Sequence, residues 1–178
     1  GFAYTTKNNL YVNKNGKVIA ITDDKDENIV NGQAVHQREF GIDKGIFIAP
    51  DHSQIAFYRM DQTMIPDYPI IDWSVVPAVN KNIKYPMAGT ASHHVTLGVF
   101  DVKSNKKIFL NIPGDPEQYL TAVTWSPDSK SIFVGVLNRD QNDLKMSQYD
   151  ASTGNLIKTI FEEKAEKLPL TADEIEVH

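Results

Sequence analysis

Short apolar runs of strand length recur along this chain between polar turn residues, and no stretch of helical period competes with them. Phe2–Thr5, Asn9–Val12 and Lys17–Thr22 make a first group, and Asn13-Lys14-Asn15-Gly16 lies between the last two. Asn-Gly suits a tight hairpin turn because both residues tolerate positive φ. A second signature occurs twice. Ile48-Ala49-Pro50-Asp51-His52-Ser53-Gln54-Ile55-Ala56-Phe57 reads like Trp125-Ser126-Pro127-Asp128-Ser129-Lys130-Ser131-Ile132-Phe133-Val134. In each, an apolar strand runs into Ser/Ala-Pro-Asp, turns through polar residues and leaves as another apolar strand. Proline presets φ for such a turn, and Asp hydrogen-bonds the backbone just ahead of it. Each copy is followed by a further hairpin, Val95–Val102 with Lys106–Asn111 in one and Lys145–Asp150 with Asn155–Phe161 in the other.

These units of four short strands predict an all-β chain, a β-propeller fragment of about three four-stranded antiparallel blades. The blades fall near 1–22 (lacking one strand), 45–112 and 118–161, and residues 162–178 read as a charged linker or the start of a further blade. Two segments exceed the minimal blade. Asp23–Lys44 is expected as a long connection between blades. Asp61–Ser92, which holds Pro66, Pro69, Pro77 and Pro86, is expected as an excursion from the middle blade. Loops of this length in a compact fold are usually functional or make contacts elsewhere.

Charge and composition narrow the function classes. A net charge of −5, with basic residues scattered among acids, argues against nucleic acid as a partner. The absence of cysteine removes disulfides, thiolate metal sites and thiol nucleophiles, without fixing the compartment. No apolar run approaches the roughly 20 residues that span a bilayer. The start at Gly-Phe-Ala-Tyr, without methionine or a charged leader, is what a removed signal peptide or an excised piece of a longer protein would leave.

Few residues suggest chemistry by themselves. His93-His94, read as adjacent strand residues, point to opposite faces and cannot both hold one ion, and no acidic partner stands at ligand spacing, so no metal site is expected there. Asp23-Asp24-Lys25-Asp26-Glu27 lacks the central glycine and the terminal glutamate of a calcium loop and reads as a solvated acidic loop. Phe47, Phe57, Trp125 and Phe133 read as packing between sheets, whereas Tyr68 and Trp73 on the excursion are open for other contacts. A propeller fragment also leaves its flanking blade faces open. Ile46, Ile48 and Val123 are expected on them, with self-association of the fragment as the consequence.

In order and spacing, Glu39-Phe40-Gly41, Ile46–Pro50, Ile55–Asp61, Asp67-Tyr68-Pro69, Tyr85-Pro86-Met87-Ala88-Gly89 and Trp125-Ser126-Pro127-Asp128 resemble one family. It is the N-terminal propeller of dipeptidyl peptidase IV-type serine peptidases, in its Bacteroidetes-like form. The resemblance implies a propeller of eight blades capping an α/β-hydrolase domain that carries the catalytic triad. This sequence has no Gly-x-Ser-x-Gly elbow, so the chain alone is expected not to be an enzyme and to need no cofactor. The implied role is non-catalytic recognition and gating of peptides with a free N-terminus, in a periplasmic or secreted parent. The implied partners are the hydrolase domain and the remaining blades. In the family a glutamate pair just before a phenylalanine binds the substrate α-amino group. Glu39 matches one member, while Arg38 stands at the other as a charge reversal that would pair with it. The plainer reading of Glu39 is a solvated loop acid, and of Arg38 a structural ion pair. The alternative for the whole chain is a non-enzymatic binding or scaffold propeller of TolB-like type.

Overall fold

A computed structural model describes residues 1–87 and 89–165. The first sheet is β1 (Phe2–Thr6), β2 (Asn9–Lys14) and β3 (Lys17–Ala20), antiparallel in that order. Its second hairpin turns through Asn15 and Gly16, both at positive φ (52° and 82°), as the Asn-Gly pair predicts.

The second sheet is more elaborate. β4 (Ile29–Asn31) and β5 (Ile46–Ile48) both pair with β6 (Gln54–Asp61), β4 along Asp61–Arg59 and β5 along Phe57–Ile55. Two short pieces thus share one strand position. The chain leaves this sheet as a separate hairpin, β7 (Asp67–Asp72) with β8 (Val79–Lys84), and returns as β9 (His94–Asp101) and β10 (Lys106–Phe109). The third sheet is β11 (Tyr119–Trp125), β12 (Ser131–Leu137), β13 (Asp143–Asp150) and β14 (Leu156–Lys164), a consecutive antiparallel meander.

The middle sheet is buried on both faces, and β6 shows how. Ile55 and Phe57 join Leu10, Val12, Ile21 and Phe100 in the core against the first sheet. Ala56 and Tyr58, one residue out of phase, join Leu97, Val99, Leu120, Trp125 and Ile132 against the third. Burying each large side chain of this kind stabilises the fold by about 1.5–3 kcal/mol. Phe57 lies across the strand from Gly98, and a Cβ built on Gly98 would stand 2.5 Å from the Phe57 ring, so only glycine leaves that ring its place. Polar links also cross between sheets. The Tyr58 hydroxyl donates to the Leu120 carbonyl at 2.8 Å, and the Trp125 indole donates to the Phe47 carbonyl at 2.9 Å.

Several expectations change. The polar connection before Lys44 contains β4, and the proline-bearing excursion is a paired hairpin rather than a plain loop, with Pro69 opposite Asn82. β14 runs on to Lys164, so Glu162–Lys164 are strand rather than linker. The reason is visible across the pair, where Lys145 meets Glu162 at 3.6 Å and Lys164 meets Asp143 at 3.5 Å. Residues 166–178, the rest of that segment, lie outside the described residues. Ile48 is exposed as expected, but Val123 is buried between the second and third sheets, and Ile46 packs on the first core. Phe57 and Trp125 are buried and Phe47 packs against the core, while Phe133 is half-buried. Tyr68 and Trp73 are exposed on the hairpin.

Candidate functional site

Between β4 and β5 the chain dips into the core twice, at Val35 and Ile42, and turns outward between them. That turn is left-handed. His36, Gln37 and Arg38 have φ of 51°, 54° and 65°, and Phe40 and Gly41 follow at 55° and 72°. Each non-glycine residue in this region costs about 1–2 kcal/mol, so the surroundings must hold the turn in place. Three backbone bonds close it, Arg38 N–H to Val35, Glu39 N–H to His36 and Ile42 N–H to Glu39, each at 3.0 Å. The third sheet adds a clamp, because the Thr121 hydroxyl donates to the Phe40 carbonyl at 3.0 Å and the Phe40 ring lies 4.8 Å from that of Tyr119.

His36 anchors the turn from inside. Leu120 lies on β11, the edge strand of the third sheet, and its N–H donates to His36 Nε2 at 3.3 Å. A neutral ring that accepts at Nε2 carries its hydrogen on Nδ1. His36 Nδ1 stands 3.0 Å from His93 Nε2, which also accepts the His36 backbone N–H at 3.3 Å. Two backbone donors thereby set the tautomer of both rings. Both histidines are buried, and burial is the main reason each pKa falls, for His36 to about 3 and for His93 to about 4. The Arg139 charge nearby acts in the same direction on both.

Beside this pair opens a cavity of about 470 Å³, lined among others by Glu39, His36, His93, Tyr119, Arg139 and Asp140. Glu117 accepts the Ser92 N–H at 2.9 Å and lies 3.7 Å from the Arg139 guanidinium, which also bonds the Tyr119 hydroxyl and sits over that ring. Arg139 is thus partly neutralised and fixed against the wall. Glu39, by contrast, is exposed and has no ion-pair partner among the described residues. Arg38 does not pair with it and instead lines a different depression, beside Lys44 and Gly45. The internal Arg38–Glu39 pair expected from sequence does not form, because the left-handed turn sends adjacent side chains apart. A free carboxylate at a cavity mouth can receive an ammonium group by charge-assisted hydrogen bonding.

The other sequence candidates resolve simply. His94 begins β9, while His93 lies just before that strand and packs inward on His36. No group of three or more metal-ligating side chains occurs among the described residues. Asp24, in the acidic loop, is half-buried and bonds Arg59 at 2.9 Å and Asn31 at 3.0 Å. Sequence reading missed the His36–His93 couple and the Glu117–Arg139–Tyr119 wall. His36 and His93 are separated by 57 positions, and no spacing rule connects them.

Comparison with known proteins gives one consistent answer. Residues 1–172 match the family model described as the dipeptidyl peptidase IV N-terminal region. A probable dipeptidyl-aminopeptidase B of Phaeosphaeria nodorum is 30% identical over 93% of the chain, and that of Talaromyces marneffei is 29% identical over 87%. The chain spans about a fifth of the length of these curated relatives, 20% in each case. A crystal structure of a putative dipeptidyl aminopeptidase IV from Bacteroides ovatus is 44% identical, with a TM-score of 0.85 over 93% of this chain and 23% of its own. Porphyromonas gingivalis dipeptidyl peptidase 4 shares the fold at 24% identity and a TM-score of 0.84, over 92% of this chain and 24% of its own.

Proposed function

The chain belongs to the dipeptidyl peptidase IV N-terminal family, and from that premise we propose that it is the substrate-recognising, gating part of a dipeptidyl peptidase IV-like serine exopeptidase. The chemistry belongs to a hydrolase domain elsewhere in the parent. The substrates are peptides with a free N-terminus, and the setting is periplasmic or secreted. Among the described residues no helix is long and apolar enough to cross a membrane.

The observation that carries this reading is Glu39. Its carboxylate has no ion-pair partner among the described residues, it lines the cavity, and it is presented by a strained turn tied to two sheets. Such a group binds a substrate α-ammonium and sets how far a peptide can extend past it. Arg38 lines a separate depression and takes no part in that contact. On β14, an edge strand of the third sheet, Leu156, Ile157, Ile160 and Phe161 remain 45–50% exposed. These are surfaces for the remaining blades or, in the fragment alone, for a second copy.

The test is Glu39→Ala in the full-length protein. Losing a charge-assisted hydrogen bond costs about 1.5–3 kcal/mol, so KM for free-amine peptides should rise roughly ten- to a hundredfold. N-blocked peptides lack the ammonium and should change little. Equal effects on both would mark Glu39 as structural and overturn the reading.

A further inference from the structure

We propose that His36 and His93 are a positioning couple that sets Glu39 for ligand binding, an inference that rests on the reading of Glu39 given above. The two imidazoles do more than fill the core, since every ring nitrogen on the line from Leu120 to His93 acts as a defined donor or acceptor. Leu120 N–H fixes His36 Nε2 as acceptor, and this leaves His36 Nδ1–H to donate to His93 Nε2. The same His93 nitrogen takes the His36 backbone N–H at 3.3 Å, inside the left-handed turn itself. The carbonyl of His36, on the other side of that residue, accepts the Glu39 N–H at 3.0 Å. One acceptor atom on His93 therefore holds the ring and the backbone of the residue on which the Glu39 backbone rests.

The arrangement ties three parts of the chain. His36 lies before β5, His93 just before β9, and Leu120 on β11. Tyr119 closes the group edge-on to His36, with ring centroids 5.0 Å apart. A strained turn persists only where its surroundings over-determine it. Without the His93 acceptor, the His36 N–H and Nδ1–H are left buried without a partner, and the turn gains by rotating them toward the cavity. That motion moves Glu39, while the cores at Val35 and Ile42 stay in place.

The substitutions are His93→Leu, which removes the acceptor, and His93→Gln, whose Oε1 can stand where Nε2 stood. Binding of the dipeptide Val-Pro and of its N-acetyl form to the full-length protein is measured by calorimetry, alongside Glu39→Ala. His93→Leu should raise Kd for Val-Pro about tenfold, leave N-acetyl-Val-Pro unchanged, and add nothing in the Glu39→Ala background. His93→Gln should stay within about threefold of the native protein. If Glu39→Ala selectively weakens Val-Pro but His93→Leu does not, the couple is refuted and the Glu39 reading stands. Equal weakening of both peptides by His93→Leu, or identical behaviour of Leu and Gln, also refutes it. If Glu39→Ala fails to discriminate, the parent reading falls and the inference with it. A readout independent of folding in the variants comes from the native chain. Ring ¹⁵N shifts should show both histidines neutral with the proton on Nδ1 at pH 6, and an imidazolium or an Nε2–H tautomer at either overturns the proposal.

Discussion

Lowering the pH from 6 to 5 should destabilise this chain through two residues. His36 and His93 are 3% and 6% exposed, and their facing nitrogens are already committed as donor and acceptor. Adding a proton to either places donors against donors. Burial above all holds the folded values near 3 and 4, helped at His36 by His93 and then Arg139 and at His93 by Arg139 and then His94, with Glu117 opposing at His93. In the unfolded chain both titrate at the ordinary 6.5. Because the folded values are depressed, the unfolded state binds more protons throughout the interval. Stability is complete above pH 6.5 and is lost as pH falls toward the folded values. Each histidine contributes a slope approaching 1.36 kcal/mol per pH unit, so the pair should remove about 2 kcal/mol between pH 6 and 5. The depressed carboxylates, such as Asp24 and Asp101, titrate below 3.8 and do not contribute in this window. Urea unfolding followed by the fluorescence of buried Trp125 measures the change. With a typical urea dependence, the midpoint should fall by roughly 1 M, and by about half that in His93→Gln. A midpoint that is unchanged or rises would show that at least one imidazole is charged in the folded protein, and the hydrogen-bond assignment would be wrong.

Three further outcomes follow from the same contacts. Tyr58→Phe removes the buried donor to the Leu120 carbonyl and should cost about 1–3 kcal/mol in urea unfolding, with no change of fold by circular dichroism. Gly98→Ala should cost about 1–3 kcal/mol by thermal melting, because its methyl meets the Phe57 ring; Phe57→Leu in the same chain should recover part of the loss, a recovery that a purely backbone effect would not show. The isolated chain should not cleave chromogenic Xaa-Pro substrates, and turnover that survived repurification would place catalytic groups within it.

The hairpins were legible because their determinants are local. Asn15-Gly16, the two Ser/Ala-Pro-Asp turns and the short apolar runs around them each act within a few residues, and the strands formed where those signals stood. Opposite charges at Lys145 and Glu162, by contrast, are adjacent only once β13 and β14 are in register, so the extra length of β14 had no local mark. β4 is three residues in a polar stretch and exists because the far end of β6 has ladder positions to fill.

Val123 shows the limit most clearly. It was expected on an open flanking face of the fragment, but Ala122 sits at φ 49° in a bulge between Thr121 and Thr124 and Val123 is buried in the core. One extra residue reverses the faces of a strand, and no periodicity in the sequence announces it. The site divides in the same way. Glu39 was singled out through the resemblance, from its place before Phe40 in one short segment, and the structure puts it among the residues lining the cavity. Its separation from Arg38 and its support by His36, His93 and Leu120 required three distant segments to meet in the fold. Sequence alone determined where this chain bends and which residues prefer strands, because those are properties of neighbours along the backbone. Only the tertiary structure decided which polar groups face one another, because burial forces each donor to find an acceptor wherever the packing of the sheets brings one.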